Sequence, residues 1–126
     1  MDYIIDGSNV AFGSGRPLAE NISNMIRYLK KHGIENIIVI CDASLRYKII
    51  DKDHFENLVN LNIIKIAPAG TSADEFIIEY AKKNDAMIIT NDRFNDYRDD
   101  PWVRENIDKH LVPFMFIGRD IFIKKK

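Results

Sequence analysis

Four short, nearly uninterrupted apolar runs divide this chain, and three of them close on an aspartate. Tyr3-Ile4-Ile5 ends at Asp6, and Ile37-Ile38-Val39-Ile40-Cys41 ends at Asp42. Ala86-Met87-Ile88-Ile89 leads into Thr90-Asn91-Asp92, and Ile63 to Ala67 is the fourth run. A strand with one wet face alternates apolar and polar residues; a strand apolar throughout must be covered on both faces. Between the runs the period changes to that of a helix. Leu18, Ile22, Met25, Ile26 and Leu29 predict a helix over Leu18 to His32, stopped by Gly33. Lys52 to Leu61 reads as a second helix capped by Asp51 or Asp53. Ser72 opens a third, with Glu75 in capping-box position and Phe76, Ile77 and Tyr80 facing inward. Pro101 opens a fourth, to about His110. Pro113 to Ile117 completes the sheet as a fifth strand, and Ile121-Phe122-Ile123 is placed at its edge. The expected fold is α/β: a doubly wound, mainly parallel, Rossmann-like sheet with helices on both faces.

The 126 residues fit one domain spanning 1–126. No apolar run is long enough for a membrane span, and the N-terminus has no basic region of the secretory kind. The single cysteine, Cys41, forms neither an internal disulfide nor a zinc cluster and reads as core. A cytoplasmic, membrane-free location is therefore expected.

In doubly wound sheets, ligands bind beyond the C-terminal strand ends, where strand order reverses. Asp6, Asp42 and Asp92 stand at those ends, Asp96 follows four residues after Asp92, and Asp74 lies in the first turn of a helix. Each alone could be a helix cap or turn former. Together they repel one another unless a hard divalent cation joins them, and oxygen ligands suit Mg²⁺ or Mn²⁺. Asn9, in the turn after Asp6, could aim an amide at the same crevice or close an Asx turn. The net charge is −1, but with Asp6, Asp74, Asp92 and Asp96 set aside, 18 basic residues face 15 acidic ones. A polyanionic substrate is compatible with that scaffold. Arg46 and Lys48 follow Asp42, while Arg16 and Arg93 flank other strand ends, where they could hold phosphates. The closing Lys124-Lys125-Lys126 reads as a solubilising tail. No serine or cysteine has an evident base partner: His32, His54 and His110 fall on helices away from the crevice. Trp102, Tyr97 and Phe94 are expected to pack the last helix against the sheet.

Four segments carry a resemblance to the NYN branch of PIN-like ribonucleases, and within it to the Regnase (MCPIP) ribonuclease domain. These are Ile4 to Ala11, Asp42 to Arg46, Ser72 to Phe76 and Ile89 to Tyr97. The resemblance implies a PIN-like fold, with Asp6, Asp74, Asp92 and Asp96 as magnesium-site acids. It also implies Asn9 positioning substrate or water, and Arg46 in a substrate loop. Asp74-Glu75 stands where animal members often carry paired aspartates. One helical step turns a side chain about 100°, so Asp74 alone is expected to face the metal. Asp42 is an additional acid, in a supporting or ligating role. The CCCH zinc finger of the animal proteins is absent from this chain.

The expected function is a Mg²⁺- or Mn²⁺-dependent endoribonuclease acting on single-stranded RNA, with a homodimer or an antitoxin-like protein partner left open. Two alternatives stand beside it: a haloacid-dehalogenase-like phosphohydrolase using Asp6, and a non-catalytic RNA-binding module.

Overall fold

The computed structural model describes residues 1–124; Lys125 and Lys126 of the expected lysine tail lie outside the described residues. Five strands, β1 (Asp2–Asp6), β2 (Asn36–Cys41), β3 (Ile64–Ile66), β4 (Met87–Ile89) and β5 (Leu111–Val112), form one parallel sheet. Their order is β3-β2-β1-β4-β5. The chain steps outward from β1 to β3, then returns to the other side of β1. The reversal therefore falls between β1 and β4.

Four helices, α1 (Gly7–Ala11), α2 (Ala19–Lys31), α3 (Leu45–Lys48) and α4 (Lys52–Asn60), belong to one face of the sheet. Two more, α5 (Ala73–Asn84) and α6 (Pro101–Asn106), cover the other. Side-chain alternation along the strands builds both cores. Tyr3, Ile5, Val39 and Cys41 meet Ile22, Met25, Leu29 and Phe55 on one side. Ile4 and Ile88 meet Ile77, Ala81, Val103 and Ile107 on the other. Burying each large aliphatic side chain contributes about 1.5–3 kcal/mol, which is why the apolar runs dictate the layers. As expected, Phe94 is buried in the second core with Tyr97 and Trp102 packed against it. Among the described residues no helix is long and apolar enough to cross a membrane.

Several expectations are corrected. The fifth strand of the sheet is Leu111–Val112, and the ladder stops at Pro113, which has no N–H to continue it. Beyond it, β6 (Phe114–Ile117) and β7 (Asp120–Ile123) pair antiparallel as a separate two-stranded sheet, so Ile121 to Ile123 is no edge of the main one. The last helix ends at Asn106 and tightens into a 3₁₀ turn over Ile107–Lys109. Phe76 is 41% exposed, because Ile77, Ile78 and Ala81 supply the buried stripe of α5. Asp51 precedes α4 but does not cap it. Its two oxygens accept the Ala19 and Glu20 N–H groups at 2.7 and 2.9 Å, because Leu18, at the head of α2, has no acceptor to offer them. The expected capping box at α5 does not form: Ser72 Oγ accepts the Asp74 N–H at 3.1 Å, and the Glu75 N–H goes to the Ser72 carbonyl at 3.3 Å.

Candidate active site

Gly7 lets the chain turn from β1 into α1 directly over β2. A Cβ there would collide with Cys41 Sγ and stand 3.0 Å from the Ile40 carbonyl. Asp6, at the end of β1, is left beneath this crossing and is buried, 4% exposed. Its Oδ1 accepts the Asn9 N–H at 3.4 Å and its Oδ2 accepts the Thr90 hydroxyl at 2.8 Å. The parallel register, Ile5 beside Ile89, brings Asp6 and Thr90 side by side across the point of reversal.

Thr90 in turn organises Asp92, whose N–H donates to Thr90 Oγ1 at 3.0 Å. Asp92 Oδ1 accepts the Phe94 N–H at 2.7 Å. That turn holds Phe94 at φ 55°, a left-handed conformation that is costly for a side chain pinned in the core. Asn9 spans the reversal as well: its Oδ1 accepts the Asn91 N–H at 2.9 Å. The Asn91 side chain reaches the other way, accepting the Phe114 N–H at 2.9 Å and donating to the Phe114 carbonyl at 3.0 Å.

Asp42 enters from the end of β2. Its N–H donates to Ser8 Oγ at 3.1 Å, and its Oδ1 accepts the Ala73 N–H at 2.8 Å. Asp42 is therefore a cap for α5, and it sets the height at which Asp74 presents its carboxylate. Ser8, the residue two beyond Asp6, has its hydroxyl turned to Asp42. A haloacid-dehalogenase mechanism needs an acid or threonine at that place, aimed at the substrate.

The electrostatics tie the acids into one group. Burial pushes the Asp6 carboxyl up to about 7, against the Thr90 and Asn9 hydrogen bonds, and the charges of Asp74 and Asp92 push it further. Asp74 is half-buried and pushed up to about 6, first by desolvation and then by Asp92, Asp42 and Asp96. The structure thus brings Asp74 within electrostatic reach of Asp6, Asp42, Asp92 and Asp96, and Asp6 within reach of Asp92, and among the described residues none of the five is paired with Lys or Arg. Glu75 is exposed, one step around α5 from Asp74.

The donor set is all oxygen and in electrostatic conflict, which suits a hard cation. Among the described residues no three His, Cys, Asp or Glu side chains are gathered into a ready metal cage.

The cations are dispersed by comparison. Arg46 is forked by Glu56, Nε to Oε2 at 2.7 Å and a second bond at 3.0 Å. That pairing holds the guanidinium firmly charged and keeps Glu56 below its usual range. Lys48 and Arg16 are exposed in the segments after β2 and after α1. Arg93 lines a groove beside Asp92. His110 is buried on the Ala86 carbonyl at 2.7 Å, and burial pushes the Cys41 thiol up, away from nucleophilic use. Contrary to expectation, one serine does meet a histidine: Ser23 Oγ lies 2.8 Å from His54 Nε2, whose Nδ1 is 3.9 Å from Asp51. Thr90 was absent from the sequence-derived set; its signal was its place between the apolar run and Asp92.

A parallel sheet with carboxylates at its point of reversal defines a class of α/β hydrolytic site. Comparison with known proteins makes it specific. Residues 2–126 match the family described as the Zc3h12a-like ribonuclease NYN domain, and the chain belongs to that family. An uncharacterised protein of Methanocaldococcus jannaschii, MJ1085, is 33% identical over 120 residues, covering 94% of this chain and 24% of that protein. Among solved structures, the nuclear proteinaceous RNase P 2 (PRORP2) of Arabidopsis thaliana superposes with a TM-score of 0.78 at 14% identity, over 98% of this chain and 29% of that one. A T5 5′-exonuclease variant superposes at 0.55 and 19% identity, over 95% of this chain and 51% of that one. At such identities the likeness is one of fold. The chain spans about a quarter of the length of MJ1085 and under a third of PRORP2.

Proposed function

We propose that this ribonuclease-family domain is a metal-dependent endonuclease that cleaves single-stranded RNA at the aspartate crevice between β1 and β4. The observation that carries this reading is the acid set: five carboxylates at one sheet edge, two of them pushed up to about 7 and 6, without a basic partner among the described residues. Such a cluster opposes folding when left bare, so its presence calls for a ligand that offsets it. Asp6, Asp74, Asp92 and Asp96 are the residues that would hold Mg²⁺ or Mn²⁺, with Asp42 supporting through α5. Bound there, the cation would acidify a water and offset charge building on the phosphate.

The protein's own groups have separable tasks. Asn9 Nδ2 donates to a non-bridging phosphate oxygen. Asp92, with one oxygen held by the Phe94 N–H, or Asp96 orients the attacking water as general base. Thr90 keeps Asp6 and Asp92 in register by serving both. Hydrolysis by water leaves 5′-phosphate and 3′-hydroxyl ends. Arg46, Lys48, Arg16 and Arg93 are assigned to flanking phosphates, Arg46 by exchanging Glu56 for the substrate. An open crevice suits a single strand.

The test is cleavage of an end-labelled single-stranded RNA, with matched DNA, in Mg²⁺, Mn²⁺ and EDTA, for wild type and Asp6→Asn. Internal cuts in RNA that need the metal and vanish in the variant are expected. Cleavage that persists in EDTA, or is equal in the variant, would overturn the assignment.

A further inference from the structure

We infer that the groove beside Asp92 is the seat of the RNA strand flanking the scissile phosphate, with Lys124 and Arg93 as its phosphate contacts. The inference rests on the nuclease reading and gives the substrate a direction. The groove encloses about 780 Å³, room for more than one nucleotide, and is lined by Thr90, Asn91, Asp92, Arg93, Asp108, Leu111, Pro113 and Lys124. Asp92 therefore belongs to two surfaces, the acid crevice and this groove, and a strand leaving the crevice has the groove as its continuation.

The charges change sign across that shared residue. On one side stand the carboxylates; on the other stand Arg93 and Lys124. Asp108 also faces the groove, and Arg98 meets it at 2.8 Å, which leaves Arg93 and Lys124 set against Asp92 in the lining. Lys124 is carried there by the backbone: its N–H donates to the Pro113 carbonyl at 2.9 Å, which ties the end of the described chain to the groove wall. Phosphates of a flanking strand fit this arrangement, and the scissile phosphate fits the acids once a cation is present.

The remaining lining says how bases are treated. Thr90 Oγ1 already serves Asp6 and Asp92. Both ends of the Asn91 amide are committed to Phe114. Leu111 and Pro113 are apolar. The groove thus offers cations for phosphates and apolar surface for a base face, while its neutral polar side chains are spent internally. Contacts of these two kinds carry little sequence information. The groove gives grip without base choice.

The experiment measures KM, kcat and the salt dependence of binding for a fluorescent single-stranded oligoribonucleotide. Cleavage is followed in Mg²⁺ and binding by anisotropy in EDTA. Wild type, Lys124→Glu, Arg93→Glu, the double variant and a charge control, Lys82→Glu on the far end of α5, are compared. The double variant is expected to raise KM about tenfold with kcat within about twofold, and each cation removed should flatten the log–log salt slope by about 0.7. Lys124→Arg should restore the slope, and the cleavage pattern across sequences should stay the same. A wild type that cleaves while the double variant keeps its KM and slope overturns the groove and leaves the nuclease reading standing. A shift in cleavage pattern in the double variant overturns the claim that the groove ignores bases. A wild type that neither cleaves nor binds RNA overturns both.

Discussion

Asp6 and Asp51 occupy like positions, each at the head of a helix, yet their surroundings have opposite consequences. Asp51 gives both oxygens to the start of α2, at 2.7 and 2.9 Å, and has His54 nearby. Asp6 is buried, accepts one good bond from Thr90 and one long one from Asn9, and faces the carboxylates of Asp74 and Asp92. The first acid completes the fold. The second opposes it, and on the proposed reading a cation offsets that opposition. Residue type and helix-cap position are the same, so neither identifies a site; unmet electrostatic demand does.

The largest effect expected from breaking this contrast is at Asp6. Asp6→Asn should lower cleavage by about a thousandfold or more while making the metal-free fold more stable. The sign follows from the shift. A carboxyl whose folded pKa is raised from 3.8 to about 7 binds its proton more tightly when folded. The stability it gives is complete below pH 4 and is lost as pH rises through 7. Asp74, at about 6, acts in the same direction over a narrower range. In EDTA the wild-type Tm should therefore fall between pH 4 and 7 relative to Asp6→Asn, with the gap widest at pH 8, on the order of 10 °C. Mg²⁺ should close much of that gap. Thermal melts at four pH values decide it; a variant less stable than wild type at pH 8 in EDTA refutes the conflict read from the structure.

Next in size is the pair on α5. Asp74→Asn should reduce cleavage by about a hundredfold, and Glu75→Gln by less than about threefold, since one helical step carries Glu75 out of the crevice. Rates measured in Mg²⁺ at matched RNA concentration check this. Equal losses would mean that both acids reach the site.

Much of this was legible in the chain itself because it rests on short-range rules. Uninterrupted apolar runs demand cover on both faces, and the acids closing those runs must then share one sheet edge. Tyr3 to Asp6, Ile37 to Asp42 and Ile88 to Asp92 needed nothing more. What escaped depended on partners distant in sequence. Asp51 capping α2, Asp42 capping α5, and Glu56 holding Arg46 are each contacts that helix periodicity does not encode. The C-terminal residues were misplaced for another reason: Phe114 to Ile117 has the composition of a sheet strand, and only Pro113 signals that it leaves the sheet. Lys124 read as part of a solubilising tail from the terminal lysine run, and its place in the groove lining depends on that hairpin.

On the satisfied side of the comparison, Asp51→Ala strips two N–H groups of α2 of their acceptor. It should cost about 1–2 kcal/mol, and the denaturant midpoint should fall with the slope unchanged. Cleavage per folded molecule should stay at the wild-type value. A loss of cleavage without a loss of stability would make Asp51 part of the chemistry.

The smallest effect is expected where the arrangement most resembles a second active site. Ser23, His54 and Asp51 line up as nucleophile, base and acid, with 2.8 Å between Ser23 Oγ and His54 Nε2. The alignment lacks what acyl transfer requires. His54 Nδ1 stands 3.9 Å from an Asp51 oxygen, too far for a hydrogen bond, and both Asp51 oxygens already serve α2. Ser23 lies within α2, where neighbouring N–H groups are spent on helical bonds and none is left to stabilise an oxyanion. The pair instead ties α4 to α2. Ser23→Ala should cost about 0.5–1 kcal/mol of stability and leave RNA cleavage unchanged. A fluorophosphonate probe should label neither protein. Labelling of wild type that disappears in Ser23→Ala would make Ser23 a nucleophile and erase the distinction between the two aspartates.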